Sequence, residues 1–198
     1  MLWKRRLGFE GVTPRAKHSV FQLRIELADV TPAVWRRVLV RSDMTLAQLH
    51  DVLQTAMGWE NGHLHAFTIG GARFGPFLGD DDEPDDLIDE EEVFLRGVLE
   101  GVERFTYEYD FGDGWEHEIT VEANSDTDAK LTFAVCIDGQ HACPPEDCGG
   151  PHGYADLLEA LADPEHEDHD EVTEWMGGAF DPYEFDLADV NAELQRRR

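Results

Sequence analysis

The stretch spanning residues 105–122 constrains the fold most, because it alternates apolar and polar residues on both sides of a glycine-rich break. Alternation around Gly112-Asp113-Gly114 predicts a β-hairpin. A two-residue turn would place Asp110 opposite His117 and set the aromatic face against glutamates, whereas a three-residue loop keeps one apolar face. Because a one-residue slip exposes that whole face, we expect the three-residue loop.

The preferred register predicts which hairpin residues lie opposite one another. It pairs Phe111 with Trp115, Tyr109 with His117, Tyr107 with Ile119, and Phe105 with Val121. It also predicts a buried aromatic face, with Glu108, Glu116 and Glu118 facing solvent. On this reading His117 is a core-edge histidine bonded to a buried acceptor, Asp113 serves the turn, and Asp110 points away with Glu108.

The rest of the chain predicts strands first and helices last. Strands are expected at 20–27, 34–40, 63–69 and 131–137, and short helices at 154–161, at 164–176 and after Asp186. The strongest helix signal is a capping box of Thr45 and Gln48, with Gly58 as the stop. This order predicts a single α+β domain over 18–198, with a largely antiparallel sheet, one early helix, a C-terminal helical segment and a loose N-terminal arm at 1–17.

The charge balance limits the choice of partners. The formal net charge is -27 at pH 7, from 43 Asp and Glu against 16 Lys and Arg. Such a chain repels phosphate backbones, so we expect no direct binding of nucleic acid, and no apolar run is long enough for a membrane span. Three cysteines favour a reduced, cytoplasmic protein. The acidic run Asp80–Glu92 is expected to be a solvated loop, with a calcium or basic-partner site as the alternative.

Catalytic motifs are absent from the sequence. The tripeptide Asp110-Phe111-Gly112 lacks the other kinase motifs, and no nucleophile elbow, phosphate-binding loop or dinucleotide fingerprint occurs, so we lean against an enzyme. A zinc site is one alternative, with four residues at knuckle-like spacing: His141, Cys143, Cys148 and His152. Because Pro144-Pro145 stiffens the loop between the thiols, we expect an ordered loop without a cofactor.

Several stretches resemble the plasmid pRiA4b ORF-3-like family over about residues 18–195. They are WRRVLV, MTLAQLHDVLQTAMGW, HLHAF, YEYDFGDGWEHEI, CPPEDCGGPHGYADLLEAL and EWMGGAFDPYEFDLADVNAEL. The resemblance implies a compact α+β domain associated with plasmids and transposable elements, without an established reaction. The residues at its motif positions are the candidate ligand-binding residues: Arg36, Asp110, Asp113, Trp115, His117, Glu146 and Asp147. His141 stands where the family pattern leads us to expect a basic residue.

The functional expectation is a cytoplasmic accessory module that binds a partner or ligand. Its pocket is predicted where Arg36, His117 and Glu146-Asp147 converge, with the guanidinium neutralising the carboxylates and His117 titrating near neutral pH. Two alternatives stay open. One is a metal-dependent enzyme using the region of Asp110, His117, Glu146 and Asp147, and the other is an acidic factor that binds a basic nucleic-acid-binding protein. The sequence leaves the oligomeric state open.

Overall fold

A computed structural model describes residues 19–77, 87–125, 131 and 133–196, and the predicted N-terminal arm and most of the acidic run lie outside these ranges. The strands are β1 Val20–Leu27, β2 Trp35–Arg41, β3 His65–Ile69, β4 Ala72–Gly75, β5 Leu87–Asp89, β6 Arg104–Tyr109, β7 Trp115–Ser125 and β8 Ala134–Gln140. The helices are α1 Leu46–Met57, α2 Leu95–Val98, α3 Gly150–Ala162, α4 His169–Met176 and α5 Leu187–Arg196. Among the described residues, no helix combines the length and apolar character that a membrane span requires.

One eight-stranded sheet organises the domain, in the order β5-β4-β3-β6-β7-β1-β2-β8. Every neighbouring pair is antiparallel except β4 and β5, which are parallel. The predicted α+β class with a largely antiparallel sheet is therefore confirmed.

The two faces of the sheet differ as the alternating pattern requires. Inward side chains of β1, α1, α3 and α5 share one buried cluster, to which Ile25, Leu49, Tyr154 and Leu194 belong. The opposite face carries ion pairs, such as that of Arg37 with Glu122 and Asp138 at 2.7 and 2.8 Å. The sheet therefore has one apolar face, packed against the helices, and one polar face.

Helix α1 begins and ends where its capping signals predict. The Thr45 hydroxyl accepts from the Gln48 amide at 3.2 Å, and the Gln48 side chain accepts from the Thr45 amide at 3.0 Å. Gly58 ends the helix with a φ of 95°, a left-handed conformation that glycine adopts without steric cost. The predicted capping box is confirmed.

The central hairpin keeps the predicted faces but not the predicted register. Tyr109 pairs with Trp115, Tyr107 with His117 and Phe105 with Ile119, so the register predicted from the three-residue loop is wrong by two residues. An even shift preserves the side on which each residue lies. The aromatic face is accordingly buried, while Glu116 and Glu118 are exposed and Glu108 is partly exposed.

The shift arises because Asp110 leaves the strand and starts a five-residue loop. Its φ is 54°, and its Oδ1 accepts from the amides of Gly112 and Asp113 at 2.9 and 3.4 Å. Two expectations are therefore wrong. Asp110 is only 9% exposed instead of pointing away with Glu108, and Phe111 is 46% exposed instead of pairing with Trp115.

The C-terminal helices differ from the prediction at their starts. Asp163 accepts from the Glu165 amide at 3.0 Å in a turn, so α4 begins only at His169 and the predicted start at 164 is wrong. Gly177 ends α4 as predicted, with a φ of 68°. Asp186 caps α5 by accepting from the Ala188 amide at 2.7 Å, as the predicted helix after Asp186 requires, and Leu187 at its first position is 37% exposed.

Candidate functional site

Three loops meet at the end of the sheet where β3 starts, β6 ends and β7 begins. They are 58–64, 110–114 and 141–149. Trp59 joins two of them to the core, because its ring stacks on Tyr109 at 5.0 Å and its Nε1 donates to the Pro144 carbonyl at 3.0 Å. Trp59, which directly follows the helix-ending Gly58, therefore holds loop 141–149 against the hairpin.

Glu146 anchors its loop to loop 58–64 and to the end of β6. Its carboxylate accepts from the Tyr109 hydroxyl at 2.6 Å and from the Glu60 amide at 3.2 Å. The Tyr109 oxygen in turn accepts from the Gly62 amide at 2.9 Å. Burial, followed by the hydrogen bond to Glu146, raises the pKa of Tyr109 well above its usual value, so the hydroxyl remains a donor. Glu146 therefore uses its carboxylate to hold the loops together.

Asp113 ties the hairpin loop to the start of α3. Its Oδ2 accepts from the Gly149 amide at 3.1 Å. The backbone of Gly150 has a φ of 70° and approaches the Asp113 carbonyl so closely that a Cβ there would collide with it. Asp113 therefore stabilises the start of α3 as well as its own turn. The close contact requires a glycine at position 150.

A histidine bridges two of the predicted carboxylates. His63 Nδ1 lies 3.5 Å from Asp110 Oδ2, and its Nε2 lies 3.2 Å from Asp147 Oδ1. Sequence reasoning placed Asp110 and Asp147 among the candidates but did not include His63. The stretch HLHAF, which contains His63, could have indicated it, but it was used only to predict a strand and to support the family resemblance.

A buried polar cluster lies beneath these loops. Both His50 and Gln54, one turn apart on α1, bond to the Tyr107 hydroxyl, at 2.7 and 3.0 Å. The ring of His50 stacks at 3.5 Å on that of His65, whose Nε2 is 2.9 Å from Glu90. Burial and the adjacent His65 lower the pKa of His50 to about 3, so its ring is neutral. This cluster satisfies polar groups inside the core.

Arg36 does not reach the loop carboxylates. Its Nε donates to the Ala56 carbonyl at 2.8 Å, its Nη1 donates to the Gln140 carbonyl at 2.9 Å, and its guanidinium lies 4.3 Å from the Phe185 ring centroid. Burial lowers its pKa from the usual value. The expectation that Arg36 neutralises the loop is wrong, because its donors satisfy carbonyls at the end of α1 and the edge of β8.

His117 is also part of the core, together with Trp115. Its ring is fully buried, with Nδ1 donating to the Tyr107 carbonyl at 3.1 Å, which confirms the predicted bond to a buried acceptor. Burial lowers the pKa of His117 to about 4. The expectation that it titrates near neutral pH is therefore wrong, because the charged imidazolium would lose its hydration there.

The four residues of the zinc alternative do not gather as ligands in the described part of the chain. His141 donates to the Ala33 carbonyl at 2.8 Å, and His152 is exposed on α3. Burial raises the pKa of Cys148 to about 12 and that of Cys143 higher still, so both thiols are protonated. The described ranges contain one group of three metal-ligand side chains with donor atoms within 4.8 Å of one another, formed by His63, Asp110 and Asp147.

A groove of about 530 Å³ lies between α3 and α4, next to the three loops. Its apolar wall includes Leu157, Val172 and Trp175, and the Trp175 ring is 51% exposed. Six carboxylates line it: Asp147, Asp156, Glu159, Glu167, Asp168 and Glu171. The sequence has no Lys or Arg between Lys130 and Arg196, and the lining of the groove contains neither residue type.

These features define a class of single-sheet α+β protein whose polar motif residues are collected on loops at one end of the strands. The chain belongs to the plasmid pRiA4b ORF-3-like family, which it matches over residues 19–189.

Two relatives extend this assignment. The chain is 42% identical over 175 residues to the uncharacterized protein y4hQ of Sinorhizobium fredii strain NGR234, covering 87% of each protein. It is also similar to a crystal structure of MM3350, a protein of unknown function from Methanosarcina mazei Go1. That comparison has a TM-score of 0.79 and 32% identity, and it covers 88% of this chain and 98% of the other.

Proposed function

We propose that this protein is an accessory module that binds an Arg- or Lys-rich segment of a partner protein in the groove between α3 and α4. The observation that carries the proposal is the lining of that groove, which combines six carboxylates with the half-exposed Trp175.

The chemistry of this lining suits a guanidinium better than other groups. A planar cation stacks on an indole ring and forms paired hydrogen bonds to carboxylates, and both interactions strengthen when water is partly excluded. Apolar side chains such as Leu157 and Val172 offer contacts to the methylene stem of the same residue. A volume of about 530 Å³ accommodates a few such side chains, in keeping with a short segment.

The charge of the whole chain supports the same partner. A net charge of -27 attracts a basic protein at long range and repels nucleic acid. Because the family takes its name from a plasmid reading frame, a basic nucleic-acid-binding protein of the same mobile element fits this chemistry. A reduced cytoplasm, favoured by the three unpaired cysteines, is where the two would meet.

The test is binding of a fluorescent oligo-arginine peptide, followed by anisotropy at low and at high salt. We expect charge reversal in the groove, Glu159→Lys with Glu171→Lys, to weaken binding about tenfold or more, and Trp175→Ala to weaken it as well.

The matched control is Glu100→Lys with Glu103→Lys, which makes the same change in charge at exposed positions outside the groove. If the control weakens binding as much as the groove variant, the peptide senses only net charge and the proposal fails. Unchanged binding in the groove variant contradicts it equally.

A further inference from the structure

We infer that His63, Asp110 and Asp147 form a binding site for a divalent transition-metal ion, with His63 in place of the His117 that the sequence suggested for a metal in this region. One imidazole nitrogen and two carboxylate oxygens lie within 4.8 Å of one another. The three residues come from three different loops, so their convergence is a product of the tertiary fold.

The distances suit a metal of small radius. With bonds of about 2.0–2.1 Å, neighbouring ligands of a tetrahedral ion are about 3.3 Å apart. His63 Nε2 and Asp147 Oδ1 are already 3.2 Å apart. Asp110 Oδ2 lies 3.5 Å from the other ring nitrogen, Nδ1, so binding one ion through a single nitrogen requires a side-chain rotation that closes the 4.8 Å spread of the three donor atoms. Asp147 has a side chain that is 72% exposed, so it is free to adjust its rotamer on binding.

Asp110 is held ready for this role by its own loop. Its Oδ1 accepts from the Gly112 and Asp113 amides, which leaves Oδ2 facing His63. Hydrogen bonds that orient a ligand in this way lower the cost of organising a metal site. The Tyr109 ring supports the other ligand through an edge contact with His63 at 5.8 Å between centroids.

The local charge independently favours a cation. Asp113 and Glu146 lie on the same two loops as Asp110 and Asp147, which brings four carboxylates to one end of the sheet. In the described part of the chain, none of these four carboxylates forms an ion pair with Lys or Arg. His63 contacts two of them, Asp110 and Asp147. A dication would offset this repulsion directly.

The ligand set indicates the class of metal. One imidazole and two carboxylates suit Zn²⁺ or Mn²⁺ better than Ca²⁺, which prefers oxygen ligands alone. Three protein ligands leave a position open for water or for an anionic group of a bound molecule. Asp147 also borders the α3–α4 groove, so the ion would sit at the edge of that groove.

The experiment is titration of metal-free, full-length protein with Zn²⁺ and with Mn²⁺, by calorimetry and by thermal unfolding. We expect about one equivalent of Zn²⁺ to bind and raise the melting temperature, since the ion joins three loops. His63→Ala and Asp147→Asn should each weaken binding about tenfold or more, while His152→Ala, which removes an exposed histidine outside the cluster, should leave it unchanged.

A Co²⁺-loaded sample identifies the ligands when the variants alone are ambiguous. A nitrogen and oxygen set gives no thiolate charge-transfer band, whereas a site at Cys143 and Cys148 would give a strong one. The inference is overturned if no stoichiometric ion binds. It is overturned equally if His63→Ala binds as wild type does, or if the thiolate band appears and Cys143→Ser with Cys148→Ser abolishes binding.

Discussion

His117 shows how one residue makes the protein sensitive to acid. Its ring is fully buried against Tyr107 and Trp59, and burial lowers its pKa from 6.5 to about 4. Between these two values the unfolded chain binds a proton that the folded chain does not bind. Stability therefore falls as the pH decreases from about 6.5 to about 4, and above pH 6.5 the residue contributes no pH dependence. His50 acts in the same direction, because its pKa is lowered to about 3.

The prediction at this scale concerns His117→Phe, which keeps an aromatic ring but cannot titrate. Between pH 7 and pH 5, wild type should lose about 2 kcal/mol more of its free energy of unfolding than the variant loses. Urea unfolding at both pH values measures this difference, whatever the absolute stability of the variant. His152→Phe, at an exposed position, is the control and should retain the wild-type pH dependence. An equal loss in wild type and His117→Phe would show that His117 is not the group responsible.

At the scale of elements, the contact between the hairpin loop and the start of α3 positions the candidate site. Gly150 lies against the Asp113 carbonyl with a φ of 70°, and the adjacent Gly149 amide donates to the Asp113 carboxylate. Backbone meets backbone here, so any side chain at 150 has to push the two loops apart. The consequence reaches Asp110 and Asp147, which flank this contact on the same two loops.

We predict that Gly150→Ala is more destabilising than a glycine substitution with the same backbone angle and open surroundings. Gly101→Ala is that control, because its φ is 74° and no atom lies within 4 Å of the new Cβ. Gly101→Ala should cost about 1–2 kcal/mol from the left-handed conformation alone. Gly150→Ala should cost about 1–3 kcal/mol more, because its Cβ also collides with the Asp113 carbonyl. Chemical denaturation compares the two, and equal costs would mean that the loops separate freely.

At the scale of the whole molecule, electrostatic repulsion opposes folding. With a net charge of -27, the compact state brings carboxylates closer together than the unfolded chain does. Surface pairs such as Arg37 with Glu122 offset little of this, since exposed ion pairs contribute on the order of 0–1 kcal/mol.

Stability should therefore increase with salt. We predict that raising NaCl from about 0.05 M to about 1 M increases the melting temperature by several degrees, because the screening length falls from over 10 Å to about 3 Å. The charge-reversal variant Glu159→Lys with Glu171→Lys should show a smaller increase, since it starts with less repulsion. A melting temperature that stays constant or falls with salt would contradict this account.

Local periodicity was sufficient for the elements whose signals lie within a few neighbouring residues. Thr45, Gln48 and Gly58 predicted the limits of α1, because capping is chemistry between residues three or four positions apart. Alternation along β6 and β7 likewise predicted which hairpin side chains are buried. It could not predict the register, because the preference of Asp110 for a left-handed turn that captures two amides outweighed the Gly112-Asp113-Gly114 signal.

The sequence by itself determined the α+β class, the buried face of the hairpin and the limits of α1, since each depends on the spacing of apolar and capping residues along the chain. Only the tertiary structure decided the partners of the polar residues. Arg36 donates hydrogen bonds to the carbonyls of Ala56 and Gln140, and His63 contacts the carboxylates of Asp110 and Asp147. These contacts join residues up to 104 positions apart. Their geometry follows from how sheet, helices and loops pack, which no local pattern encodes.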